Sequence, residues 1–139
     1  MCKEEFLKPY ILTFGYGNRS NHQLFSSYLE EFQVAYVIDI RKSPKAWNRK
    51  WYREELEKLC VSKGITYWSE TVLGNLSGTS KWISPNPEEA NQVLRQIAKQ
   101  TKFQTILLLC AEKDYQKCHR LEVANLLKEL TNLPVKHLE

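Results

Sequence analysis

The sequence predicts a small Rossmann-like α/β domain of three layers, residues 1–139, with a mostly parallel sheet of four or five strands. Its 139 residues, 42% hydrophobic and 26% charged, have the size and composition of one globular domain. Short apolar runs alternate with segments of helical periodicity. The runs at 34–40 and 103–110 are almost entirely apolar, as in strands covered on both faces by helices.

The chain begins its regular structure with a strand at 10–14, a run rich in aromatic and branched residues that ends at a glycine. A turn follows. Ser20 has Gln23 three positions after it, which is the capping-box spacing, and apolar residues continue at helical spacing to residue 32. The pattern therefore predicts a first helix that starts near Ser20.

The middle of the chain repeats this alternation. The apolar run at 34–40 predicts the second strand. Apolar residues at helical spacing predict a helix over 52–63, which Gly64 would end as a C-cap. A short third strand is expected at 65–68, and a long loop at 70–84 that could close over a binding site.

The third helix has the clearest start signal of the chain. Asn86 is a favourable N-cap, Pro87 suits the first helical position, and Glu89 lies three residues after the cap. The remaining predicted elements are a strand at 103–110, a helix through 123–130 and a short strand at 135–138.

Candidate functional residues cluster at the ends of predicted strands. In such sheets ligands bind beyond the carboxyl ends, where the strand order reverses, and the first and fourth strands commonly flank that point. The first loop could cradle an anion with backbone amides and Arg19, or could simply be a turn that needs positive φ angles at its glycines. Its glycine spacing favours neither NAD nor ATP. The loop consists of Gly15, Tyr16, Gly17, Asn18, Arg19 and Ser20.

The second strand ends in Asp39 and Arg41. Arg41 could hold a phosphate bidentately, or could pair with Asp39, and both roles are compatible. The window 41–53 contains six basic residues and no acidic one, in a chain whose net charge is +4. Trp47, Trp51 and Tyr52 interleave with these charges, a combination found in nucleic-acid-binding segments as well as in ordinary solvated loops.

The fourth strand leads to two cysteines and their charged neighbours. Cys118 is a candidate nucleophile, because a thiol near a helix N-terminus beside His119 and Arg120 has a lowered pKa. Glu112 is a candidate general acid or base, and Arg120 a candidate anion clamp. Buried packing is the alternative for these residues. Two cysteines and one adjacent histidine do not supply four spaced ligands, so the sequence predicts neither a metal site nor a cofactor.

The N-terminus lacks a secretory pattern, and the longest apolar run, 106–111, is far shorter than a membrane span. A cytosolic protein with free thiols and no membrane partner is therefore expected.

The sequence contains the motifs TFGYGNRS at 13–20, VIDIR at 37–41 with Ser43-Pro44, GITY at 64–67, LGN at 73–75, CAE at 110–112 and CHR at 118–120. Together these motifs resemble the domain-of-unknown-function family 488 of prokaryotes. The resemblance implies an α/β domain of this size and a site at the motif residues, and it implies no particular reaction.

The residues favour binding of a phosphate-bearing ligand, a nucleotide or a nucleic-acid end, by the glycine turn with Arg19, Arg41 and Arg120. Any chemistry would use Cys118 and Glu112. Two alternatives stay open: a non-catalytic nucleic-acid module that uses residues 41–53, and a partner-binding scaffold in which the cysteines only pack.

Overall fold

A computed structural model describes residues 8–46 and 48–139 and shows one five-stranded sheet. All neighbouring strands pair in parallel, in the order β3-β2-β4-β1-β5. The predicted α/β class and parallel sheet are therefore confirmed. The strands are β1 (Ile11–Gly15), β2 (Tyr36–Asp39), β3 (Thr66–Ser69), β4 (Ile106–Cys110) and β5 (Val135–His137).

Within residues 8–46 and 48–139, four α-helices cover the two faces of this sheet. They are α1 (Gln23–Glu31), α2 (Arg53–Ser62), α3 (Pro87–Gln100) and α4 (Arg120–Thr131). Phe25 of α1 and Leu56 of α2 belong to one apolar core, whereas Leu94 of α3 and Leu127 of α4 belong to the other. Each such buried side chain stabilises the fold by roughly 1.5–3 kcal/mol. The arrangement confirms the predicted three layers.

The strand order determines where the loops meet. β4 lies between β1 and β2, so the carboxyl ends of three strands from distant parts of the chain are adjacent. The chain leaves β1 toward α1 on one face and leaves β4 toward α4 on the other, which places the reversal of strand order between β1 and β4. Gly15 pairs with Cys110 at this edge.

Two helix ends match the sequence signals, and one does not. The Asn86 side chain accepts a hydrogen bond from the Glu89 amide at 3.2 Å, and Gly64 follows α2 with a φ of 71°. The predicted start at Ser20 is wrong, because α1 begins at Gln23 with no side-chain cap bond. The Ser20 carbonyl instead accepts a bond from the Asn48 amide group at 3.2 Å, which ties the first loop to the segment after β2.

Strand and loop boundaries also differ from the expectation. Phe103 was expected to begin a strand, but it has a φ of 62° and β4 starts three residues later at Ile106. The loop at 70–84 contains a 3-10 turn, Thr71–Leu73, and the Trp82 ring N–H donates to the Gly74 carbonyl at 2.9 Å. Among the described residues, no helix has the length and apolarity needed to cross a membrane.

Candidate functional site

A buried ion pair forms the centre of the carboxyl edge. The Arg41 guanidinium donates from Nε to Asp39 Oδ1 at 2.8 Å and from Nη2 to Asp39 Oδ2 at 2.6 Å. Both side chains are buried, and each charge compensates the other in surroundings where an unpaired charge would be strongly destabilising. Burial acts to lower the pKa of Arg41, but the bonds with Asp39 raise it above its ordinary value. The pairing that the sequence allowed is thus present.

This ion pair also holds the surrounding loops. Arg41 Nη1 donates to the Trp51 carbonyl at 2.6 Å and lies 3.4 Å from the Tyr16 hydroxyl, while the Tyr67 hydroxyl donates to Asp39. Tyr16 stacks on Trp51 with ring centroids 4.8 Å apart. Burial raises the pKa of Tyr16, so its hydroxyl stays protonated at neutral pH. Each of the three guanidinium nitrogens of Arg41 therefore has an acceptor within the protein.

The first loop uses its backbone amides within the protein. The Tyr16 amide donates to the Cys110 carbonyl at 3.2 Å, and the Gly17 amide donates to the Ala111 carbonyl at 2.9 Å. A Cβ atom on Gly15 would lie 1.7 Å from the Glu112 carbonyl oxygen. Gly17 has a φ of 56°. These contacts explain the glycines as requirements of a close approach and a turn, without a bound anion.

The other two arginines of the predicted clamp differ in exposure. Arg120 is fully buried, and it donates from Nη2 to the Lys113 carbonyl at 3.1 Å and from Nη1 to the Glu112 carbonyl. It thereby closes the loop between β4 and α4. Arg19 is partly exposed and lies 5.3 Å from the centroid of the Phe14 ring. It lines a 640 Å³ cavity between the first loop and residues 111–113.

Cys110, Cys118 and His119 meet beside this edge. Cys110 ends β4, and Cys118 lies two residues before α4, which starts at Arg120. The two sulfurs are 2.9 Å apart, and His119 Nδ1 lies 3.7 Å from the Cys118 sulfur and 3.9 Å from that of Cys110. The expected proximity of Cys118 to a helix N-terminus is present, because its sulfur accepts the Arg120 amide at 3.4 Å.

The orientation of the His119 ring is set by two carbonyl groups. Its Nε2 lies 3.1 Å from the Ile40 oxygen and 2.8 Å from the Leu73 oxygen. Because both partners are acceptors, Nε2 carries a proton, and in the neutral ring the lone pair is on Nδ1. This lone pair points toward the two sulfurs. The loops after β2 and β3 therefore select the tautomer.

The two thiols differ in their acidity. The hydrogen bond with Cys110 lowers the pKa of Cys118 despite burial, and the bond from the Arg120 amide acts in the same direction. The same bond and burial raise the pKa of Cys110. Cys118 is therefore the thiol of the pair that ionises first.

The cysteines and the histidine line a cleft of about 270 Å³. Lys42 and Lys45 come to it from the segment after β2, and Lys117 from the loop after β4. All three lysines are exposed. Among the described residues that line the cleft, Glu112 is the one carboxylate, and it accepts the Asp114 amide at 3.1 Å. The cleft thus has an excess of positive charge.

The basic aromatic window offers little free aromatic surface. Trp51 is 1% exposed, and its ring N–H donates to the Arg19 carbonyl at 2.8 Å. Tyr52 is partly buried, with the Arg49 guanidinium 5.7 Å from its ring centroid. Trp47 lies outside the described residues.

Sequence reasoning missed several residues of this site. Lys117 directly precedes Cys118, which was the available signal. Gly74 has a clearer structural role than its motif indicated, since a Cβ there would lie 2.3 Å from the Lys42 Cα. Tyr67 belongs to the GITY motif, but its role was not predicted, because its bond to Asp39 depends on the pairing of β2 with β3.

The comparisons with known proteins give one match. The family model described as "Domain of unknown function DUF488" matches residues 21–127. The matched region includes Asp39, Arg41 and the whole cysteine–histidine cluster, whereas β1 and the glycines of the first loop precede it. No curated protein and no solved structure matches the chain. The match to the family model covers most of the chain, and the protein is a member of the DUF488 family.

Proposed function

We propose that the protein binds a phosphate-bearing ligand, a nucleotide or a nucleic-acid end, in the cleft above the cysteine–histidine cluster. The observation that carries the proposal is the convergence of exposed Lys42, Lys45 and Lys117 from two loops on one cleft, where Glu112 is the one carboxylate among the lining residues that the structure describes. Ammonium groups in such a concave site concentrate anions. The volume of about 270 Å³ suits a phosphate with part of its sugar better than an extended polymer.

The proposal assigns charge recognition to the lysines and a supporting role to the arginines. The guanidinium groups of Arg41 and Arg120 are engaged by Asp39 and by backbone carbonyls. They shape the loops from which the lysines project. Arg19 and the glycine turn border the neighbouring 640 Å³ cavity, which shares Glu112 with the cleft. A ligand longer than one phosphate could extend into that cavity.

The predicted chemistry of Cys118, with Glu112 and His119, belongs to the same cleft. A lowered thiol pKa and a histidine Nδ1 at 3.7 Å support this assignment. The Cys118 side chain is only 3% exposed, so a substrate would reach it through the cleft. If a reaction takes place, Cys118→Ser will abolish turnover while leaving ligand binding intact. A cytosolic location, as the sequence predicts, would keep both thiols reduced.

Binding of labelled oligonucleotides tests the proposal directly. We expect a 5′-phosphorylated single strand to bind more tightly than its 5′-hydroxyl counterpart, and ATP to compete. Lys42→Glu/Lys117→Glu should remove binding, with a smaller dependence on salt in any binding that remains. Lys58→Glu/Lys99→Glu, which reverses two exposed charges on α2 and α3, is the matched control. Equal binding of both strands by the native protein, or an equal effect of this control variant, would contradict the proposal.

A further inference from the structure

We propose that Cys110, Cys118 and His119 form a transition-metal site, with Zn²⁺ as the ion that fits the donors best. Their three ligand atoms lie within 4.8 Å of one another. Two thiolates and one imidazole are a donor set that zinc uses in proteins. This inference does not depend on phosphate binding, since it rests on a different group of atoms.

The distances are close to those of a tetrahedral site. With Zn–S near 2.3 Å and Zn–N near 2.0 Å, tetrahedral ligands would be separated by about 3.8 Å for two sulfurs and about 3.5 Å for sulfur and nitrogen. His119 Nδ1 already lies 3.7 and 3.9 Å from the sulfurs. The sulfurs, 2.9 Å apart, would need to separate by about 0.9 Å. Metal binding would also bring the imidazole nitrogen about 0.2–0.4 Å closer to the sulfurs.

The anchoring of His119 distinguishes a metal site from ordinary packing. A metal-binding histidine usually donates its second ring N–H to a carbonyl or a carboxylate, which fixes the ring and its tautomer. His119 Nε2 lies 2.8 and 3.1 Å from two carbonyl oxygens, from the loops after β3 and β2. These bonds direct the Nδ1 lone pair toward both sulfurs. The Cys118 sulfur also accepts the Arg120 amide, a bond that stabilises a thiolate.

The charge of the site is compatible with its surroundings. Two thiolates balance the charge of Zn²⁺, so the occupied site would be neutral and would not be repelled by the lysines of the cleft. The three ligands line this cleft, which provides an entry path. They leave one tetrahedral position for water or for a ligand atom, the pattern of zinc sites that remain open. Binding would release the thiol protons to solvent.

A disulfide between Cys110 and Cys118 is the main alternative use of the two sulfurs. It would require an oxidant, and it would give the anchored His119 ring no function. Metal binding uses all three side chains together. It also competes with a nucleophilic role of Cys118, because a zinc-bound thiolate is less available to a substrate.

The test uses the full native chain, reduced and stripped of metal, then titrated with Co²⁺ and Zn²⁺. We expect one equivalent per chain, a sulfur-to-cobalt charge-transfer band, visible bands of tetrahedral intensity, and displacement of cobalt by zinc. Zinc should also protect Cys110 and Cys118 from alkylation. Loss of a residue that only orients a metal ligand typically weakens metal binding 10–100-fold. Because Cys118→Ser and His119→Gln each remove a ligand itself, they should weaken binding by at least about 100-fold.

Cys60→Ser is the matched control, since Cys60 is a buried thiol in the core on the opposite face of the sheet. It should leave the cobalt spectrum unchanged. The native spectrum decides the question even if a site variant fails to fold. Absence of the charge-transfer band, equal loss in Cys60→Ser, or isolation of a Cys110–Cys118 disulfide from protein kept in reductant would overturn the proposal. Failure of oligonucleotide binding alone would leave it standing.

Discussion

Replacement of Arg41 by alanine separates a structural role from a ligand-binding role. The change removes the partner of a fully buried carboxylate, Asp39. Breaking a buried ion pair on one side typically costs 3–5 kcal/mol. The Asp39 carboxylate would keep its hydrogen bonds from the backbone amide of position 41, at 3.1 Å, and from the Tyr67 hydroxyl. The Trp51 carbonyl would lose the hydrogen bond that it accepts from the Arg41 side chain. We therefore expect a loss of about 4 kcal/mol in the free energy of unfolding.

A loss of this size is easily measured. For a chain of this length it corresponds to a decrease in Tm of about 15 °C, and it is a large part of the 5–15 kcal/mol by which domains are stable. Urea denaturation followed by fluorescence gives the free energy, and Arg95→Ala, an exposed change on α3, should alter it by less than about 0.5 kcal/mol. The double variant Asp39→Leu/Arg41→Met should recover part of the loss, because it leaves no unpaired charge.

The refuting result combines stability and binding. If Arg41→Ala costs less than about 1 kcal/mol and still removes binding of the phosphorylated strand, the guanidinium serves the ligand and not the fold. The structure instead predicts that loss of binding in this variant accompanies loss of folded protein.

Three further predictions concern residues that do not line the cleft. Gly15→Ala should lower the free energy of unfolding, measured by chemical denaturation, by about 3 kcal/mol or more, because its Cβ would lie 1.7 Å from a backbone oxygen. Gly64→Ala, which has open space around the new Cβ but a φ of 71°, should lower it by about 1 kcal/mol. Equal losses in the two variants would contradict the close approach at Gly15. Asn86→Ala should lower the free energy of unfolding by about 1 kcal/mol in the same assay, because the Glu89 amide loses its bond to the Asn86 side chain. An unchanged free energy would show that water replaces this bond. Burial, with the nearby charge of Glu57, raises the pKa of Cys60 from 9.0 to about 12. The folded state then binds more protons than the unfolded state between these values, so the stability advantage of the native protein over Cys60→Ala should shrink as pH rises through that window, and a constant difference would refute the shift.

The sequence predicted those parts of the fold that depend on local chemistry. α3 has its cap, proline and apolar stripe in one continuous segment, and its start was correctly identified at Pro87. The first helix was placed three residues too early, because Ser20 and Gln23 have capping-box spacing in a loop whose carbonyl groups bind Asn48 and Trp51. Those partners come from the segment after β2, and no local pattern reveals them.

The sequence could predict where the site lies, but not which partner each of its side chains binds. A parallel sheet brings the ends of β1, β2 and β4 together, so the motif residues of the three loops were expected at one edge. Whether an arginine faces a ligand or a carbonyl oxygen depends on the path of its own loop. The side chain of Arg120 folds back to residues 112 and 113, and this contact leaves no mark in the sequence.

The different roles that we propose for arginine and lysine at this edge follow from the chemistry of the two side chains. A guanidinium has five donors in a rigid plane, so it can satisfy several buried acceptors at once, as Arg41 does with Asp39 and Trp51. A lysine ammonium is compact and strongly hydrated, so it remains at the surface, as Lys42 and Lys117 do. Asp39 compensates the charge of Arg41, whereas the lysines face the cleft with only Glu112 as an opposing carboxylate among its described lining residues. Arginine variants at this edge should therefore act mainly on stability, and lysine variants mainly on anion binding.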